Sequence, residues 1–129
     1  MPFSLVEALA LADRAIAKAE ELKVSVSVAV VDEFGQLVQL DRMDGAALMS
    51  PELAEAKAAT ALNFKRSTSE VAKLDSSARS AIESIVYFKP IPLPGGLPIF
   101  SGRELRGAIG ICGDDTIQDE MIAKFAIDS

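Results

Sequence analysis

Two cations in this chain are the first candidates for chemistry. Lys57 lies in "AEAKAATALNFKRST", residues 54–68, among alanines at 54, 56, 58, 59 and 61, where few long side chains shield it. Arg66 follows Phe64 near the end of the same stretch. Pointed into a cavity, the pair would hold a carboxylate or another anion, with Arg66 offering bidentate geometry. The plain alternatives are a solvated face for Lys57 and a helix-dipole partner for Arg66. Sequence alone leaves both open.

The remaining reactive types are scarce. There is no histidine, which removes a Ser-His or Cys-His couple, an imidazole base and histidine ligation of metal or haem. Cys112 is the only cysteine, so an intrachain disulfide and a cysteine-based zinc cluster are excluded. With no histidine and two aspartates close by, it is a poor nucleophile. Asp114, Asp115, Asp119 and Glu120 read as caps and dipole partners of a helix rather than as a metal site. Gly107, Gly110 and Gly113 form no G-x-G-x-x-G and follow a hairpin, so they mark close packing or a pocket wall instead of a dinucleotide. Tyr87, the only tyrosine, is either a core aromatic or a polar tip at a pocket edge.

One loop stands apart. "IPLPGGLPIF", residues 91–100, has three prolines and two adjacent glycines but no basic residue. It cannot cradle phosphate. The prolines stiffen it and remove N–H donors, and the glycines permit a tight turn and close approach. It reads either as a buried connector or as a pocket wall in which Gly95 and Gly96 face Arg66.

The elements that position these residues follow from local patterns. Ser4 and Glu7 form a capping box, and Leu5, Ala8, Leu9, Ala12, Ile16 and Ala19 continue an amphipathic helix to about Leu22. "VSVSVAVV", residues 24–31, alternates valines on one strand face with small residues on the other. A turn at Asp32 to Gly35 leads to a returning strand from Gln36 to Met43, ended by Asp44-Gly45. Ser50-Pro51-Glu52 opens a helix to about Phe64, with Ser50 as its hydroxyl cap. Residues 67–74 and 78–86 read as two shorter helices. Leu97 to Phe100 and Glu104 to Cys112 make a second hairpin, and the acids at 114 and 115 start a last helix through Ile127. The order is that of an α+β fold, helices covering an antiparallel sheet.

The 129 residues have the length of one domain, half of them hydrophobic and a quarter charged. A net charge of −6 argues against nucleic acid or an anionic membrane as partner. No apolar run reaches the ~18 residues of a membrane span and no signal pattern is present, so the cytoplasm is the expected compartment.

Four segments together resemble a known family. "DRMDGA" at 41–46, the alanine-rich stretch at 54–68, "PGGLPI" at 94–99 and "GAIGICGDDTIQDEMIAKFA" at 107–126 occur in the order of the GlcG/HbpS-like group, which includes the C-terminal domain of PduO-type proteins. The resemblance spans nearly the whole chain. It implies a single α+β domain with a profilin-like architecture, a central antiparallel sheet of about five strands and flanking helices. It also implies assembly into homo-oligomers. Positions matching the shared motifs are Asp44, Gly45, Lys57, Thr60, Arg66, Gly95, Gly96, Gly110, Gly113 and Asp119. Haem or corrinoid binding is implied as well, yet the histidine ligation of some relatives has no counterpart here. Met43, Met49, Tyr87 and Cys112 are conceivable axial ligands in its place, with no pattern in the sequence that favours any of them. Cys112 stands where the family pattern usually carries serine.

The expected function is a small-molecule-binding protein accessory to a catabolic or cofactor pathway. Its ligand would be an apolar or planar molecule with an anionic group, a tetrapyrrole or a smaller organic acid. Lys57, Thr60, Arg66, Tyr87, Gly95, Gly96 and Asp44 are the candidate site. The alternative is a cofactor-independent enzyme acting on a small organic acid or aromatic catabolite, with Asp44 or another carboxylate as base and Arg66 stabilising an oxyanion.

Overall fold

Alternation along the first strand decides the layering, because bulky and small side chains point to opposite faces. The computed structural model describes residues 2–84 and 90–129. Its elements run α1 (Leu5–Glu21), β1 (Ser27–Asp32), β2 (Leu37–Arg42), α2 (Ser50–Phe64), α3 (Thr68–Val71), α4 (Ser76–Glu83), β3 (Gly96–Ser101), β4 (Glu104–Cys112) and α5 (Thr116–Asp128). Val26, Val28 and Val30 join Ile109 and Ile111 of β4 in a core covered by α1 and α5. On the other face Ala29, Val31, Ala108 and Cys112 pack against Ala54, Ala58, Ala61 and Leu62 of α2. The large residues line one core, and the small ones let a helix lie close.

The strand order is β2-β1-β4-β3, every neighbouring pair antiparallel. The architecture is α+β as the sequence implies, but the sheet has four strands among the described residues, one fewer than the resemblance implies. The closest approach is at Gly110, where an added Cβ would run into the Ala54 carbonyl oxygen and lie 2.7 Å from the Ala58 nitrogen. No side chain fits there. α2 therefore rests directly on the backbone of the sheet.

Local signals hold with some corrections. The capping box is formed: Glu7 N–H donates to Ser4 Oγ at 3.1 Å, and Ser4 N–H to Glu7 Oε1 at 3.3 Å. Ser50 does not cap α2; Met49 is the N-cap, with no side-chain bond. The Ser50 hydroxyl instead donates to Ala47 O at 2.7 Å and lies 2.8 Å from Ser27 Oγ in a buried pair. That pair ties the start of α2 to β1. Asp75 and Ser67 each cap the short helix that follows. The last residues expected in α4, Ile85 and Val86, lie outside the described residues. Among the described residues no helix is long and apolar enough to cross a membrane.

Candidate functional site

Among the described residues Lys57 is the largest fully buried side chain, with 1 % of its surface exposed. A bare ammonium at that depth needs partners, and it has them. Its Nζ donates to Ile111 O at 2.9 Å and to Asp119 Oδ2 at 3.2 Å, while Gly113 N–H donates to Asp119 Oδ1 at 2.9 Å. Burial pushes the Asp119 carboxyl above its ordinary value, even though Gly113 N–H and the Lys57 ammonium both pull it down. Asp119 thus does more than complement a helix dipole: with Lys57 it ties α2, β4 and α5 together.

The proline-glycine loop closes over this pair. Ile91 N–H donates to Thr60 Oγ1 at 2.9 Å, Ile111 N–H to Gly95 O at 2.9 Å, and Gly96 N–H to Thr68 Oγ1 at 3.0 Å. Thr60 itself donates to Ala56 O at 2.7 Å. Gly95 has φ +130°, and a Cβ there would sit 2.5 Å from Ile111 O and 2.9 Å from Lys57 Nζ. At Gly96 it would strike the Lys57 carbonyl oxygen. Lys57, Thr60, Gly95 and Gly96 are therefore brought together, as a packed and hydrogen-bonded crossing of loop over helix.

The other sequence candidates stand apart from that crossing. Arg66 is exposed between α2 and α3, and Asp44 is exposed in the turn after β2. Gly45, next to Asp44, approaches Ser25 just ahead of β1, and β1 is tied through Ser27 to Ser50 at the start of α2. Asp44 and Arg66 thus lie near opposite ends of a helix of 15 residues, a length of about 22 Å at 1.5 Å per residue. Tyr87 lies outside the described residues. Met43 is held in the core, its sulfur accepting from Val26 N–H at 3.4 Å, and Met49 is exposed at the head of α2. Burial pushes the Cys112 thiol up, with Asp119 and Asp114 adding to the rise and Lys57 opposing it, so it stays protonated and unreactive.

An open concavity exists on the opposite face. Phe3, Glu7, Ala10, Leu11, Arg14, Ile99, Phe100 and Ile127 line a groove of about 290 Å³ between α1, β3 and the end of α5. Its floor is apolar, and Arg14 and Glu7 are its charged members. Arg14 is fixed by one bond, Nε to Ala126 O at 2.8 Å. Its terminal nitrogens have no acceptor among the described residues. Glu7 receives Arg106 Nη2 at 2.9 Å on Oε1 and 3.1 Å on Oε2. Desolvation raises the Glu7 carboxyl, but the Ser4 bonds and Arg106 outweigh it and hold the group below its ordinary value.

A bulge aims Arg106 at Glu7. Ile99 pairs with Gly107 and Phe100 with Leu105, leaving Arg106 unopposed. That extra residue turns Arg106 toward α1, where its guanidinium lies 5.7 Å from the Phe3 ring centroid. Arg14, Arg106 and Glu7 escape a reading of the sequence as site residues. The one available signal is the placing of Glu7 and Arg14 seven residues apart, on one helical face.

Residues 3–128 match the family described as haem degrading protein HbpS-like. The chain belongs to the HbpS-like family. It is 36 % identical over 129 residues to the corrinoid adenosyltransferase PduO of Citrobacter freundii, an alignment covering 98 % of this chain and 38 % of that protein. This HbpS-like chain thus spans little more than a third of that relative's length. It superposes on the structure of a PduOC:heme complex with TM-score 0.91 and 32 % identity, covering 99 % of this chain and 94 % of that one. With the HbpS of Streptomyces reticuli, solved as a double mutant, the TM-score is 0.90 at 32 % identity, covering 99 % and 86 %.

Proposed function

We propose that this chain is a small-molecule-binding protein whose groove between α1, β3 and α5 takes an apolar or planar ligand with an anionic group. The observation that carries the reading is Arg14. Its Nε is anchored by a backbone carbonyl, and among the described residues the rest of its guanidinium fork stands free beside an apolar floor. A planar fork fixed at one nitrogen is preorganised for a carboxylate. An apolar hollow with a few placed polar groups is the usual form of a small-molecule site.

A structural neighbour solved with heme supports the tetrapyrrole end of this ligand class. The groove offers an apolar surface for part of a porphyrin face and Arg14 for a propionate, but nothing for iron ligation. Its lining has no imidazole, thiolate, thioether or phenol, the usual axial ligands. A tetrapyrrole would be held here by its rim and face, and smaller aromatic or hydroxy acids meet the same groups. The role is accessory to a catabolic or cofactor pathway, in a chain that assembles as a homo-oligomer.

The test is titration of the purified protein with haemin, followed by absorption, and with aromatic carboxylic acids, followed by calorimetry. Saturable binding of at least one probe, abolished by Ala10→Trp in the groove, is expected. Absence of binding by every probe, or affinity that survives Ala10→Trp, overturns the reading.

A further inference from the structure

Resting on that assignment of the groove, we infer that it reads its ligand in one direction. An anionic end lies on Arg14, and a hydroxyl or amine donor at the opposite end lies on Glu7. The two side chains leave α1 seven residues apart, close to two full turns, so they share a face and stand about 10 Å apart along the helix. Between them the groove offers only apolar surface: Ala10, Leu11, Ile99 and Phe100.

The ends differ in what they can accept. Arg14 presents N–H groups and no acceptor, so it takes an anion. Glu7 carries the opposite polarity. Its Oε1 already receives Ser4 N–H, the Ser4 hydroxyl and Arg106, whereas Oε2 receives Arg106 alone. Oε2 therefore keeps room for a donor from the ligand, and the Glu7 side chain is 45 % exposed. Arg106 neutralises the Glu7 charge and fixes its carboxylate plane, which makes that end a directed acceptor. A second anion at that end would have to compete with Glu7 for Arg106. The favoured class is a rigid, elongated organic acid with a hydroxyl or amine at its far end, such as a hydroxyaryl carboxylate.

The experiment pairs ligand and protein changes. The probes are 4'-hydroxybiphenyl-4-carboxylate, biphenyl-4-carboxylate and 4-hydroxybiphenyl, measured by calorimetry against the wild type, Arg14→Gln and Glu7→Gln. Glutamine at position 7 preserves the capping box, so the variant keeps α1. Removing the hydroxyl should weaken wild-type binding about tenfold, and Glu7→Gln should shrink that loss. Removing the carboxylate should also cost about tenfold, a loss that Arg14→Gln should erase. Equal losses in wild type and variants, or a swap in which Glu7→Gln couples to the carboxylate, overturn the directional reading while leaving the groove as the site. Binding of all three probes undiminished by Ala10→Trp, or no binding at all, removes the groove and the inference together. A change of oligomeric state in Ala10→Trp, seen by light scattering, assigns the groove to a second copy of the chain and also overturns it.

Discussion

Lys57 and Arg14 are both cations against apolar surface, and they differ in how far the fold has used them. Lys57 is enclosed, paired with Asp119 and the Ile111 carbonyl, and overlaid by a loop whose glycines leave no room for another atom. Arg14 makes one backbone bond and leaves its remaining donors at the edge of a groove. A charge whose partners are all internal stabilises or specifies the fold, while one left half-satisfied at a concave surface is available to a ligand. Neither residue type nor surrounding hydrophobicity separates the two cases. The count of committed hydrogen bonds does.

The largest expected effect falls on the enclosed cation. Lys57→Ala leaves Asp119 buried without its partner and should lower stability by about 3–5 kcal/mol in urea denaturation. Lys57→Met with Asp119→Asn should recover most of that loss, since a neutral pair of similar volume carries no stranded charge. A loss from Lys57→Ala below ~1 kcal/mol, the range of exposed pairs, would erase the contrast between the two regions. Next in size is Gly110→Ala, whose methyl must displace the Ala54 carbonyl and should cost about 1–3 kcal/mol by thermal melting.

Arg14→Gln should do the reverse of Lys57→Ala. Its affinity for anionic probes falls about tenfold, ~1.4 kcal/mol, while stability changes by no more than the single hydrogen bond to Ala126 O, about 1 kcal/mol. Arg66→Ala, at an exposed position outside both regions, should stay within about 0.5 kcal/mol of wild type in stability.

The two carboxylates sharpen the same comparison through pH. Glu7 is held below its ordinary value, so the unfolded chain binds its proton more readily than the native protein does. Its contribution is present above the ordinary glutamate value and is lost as pH falls through the depressed one. Asp119 is raised by burial and slopes the other way: stability declines as pH rises from the ordinary aspartate value through the raised one. Glu7→Gln should therefore flatten the acid limb of a stability–pH curve, whereas Asp119→Asn in the Lys57→Met background should remove the opposing slope. If Glu7→Gln leaves the acid limb unchanged, Arg106 is not holding that carboxylate.

Much of the fold was legible because its causes are local. The Ser4–Glu7 box, the valine alternation of β1, the alanines of α2 and the turn residues each act over a few positions, and the family motifs fix their order. Ser50 misled for an equally physical reason: a hydroxyl at a helix start can cap, but here it was drawn to Ser27 across 23 residues. The candidate site was harder. Lys57 among small residues did point to a cation that must be dealt with, but the acid that deals with it is 62 positions away on another helix.

Residue types alone excluded histidine-based chemistry and an intrachain disulfide, and they set the α+β order and a loop at residues 91–100 without a basic residue for phosphate. Tertiary structure decided which cation is spent and which is free. It did so through contacts distant in sequence: a bulge in β4 that turns Arg106 onto α1, a carbonyl of α5 that anchors Arg14, and a loop that seals Lys57 against Asp119. The reason is that hydrogen-bond satisfaction is a property of three-dimensional neighbours, and the sequence records only the groups that seek them.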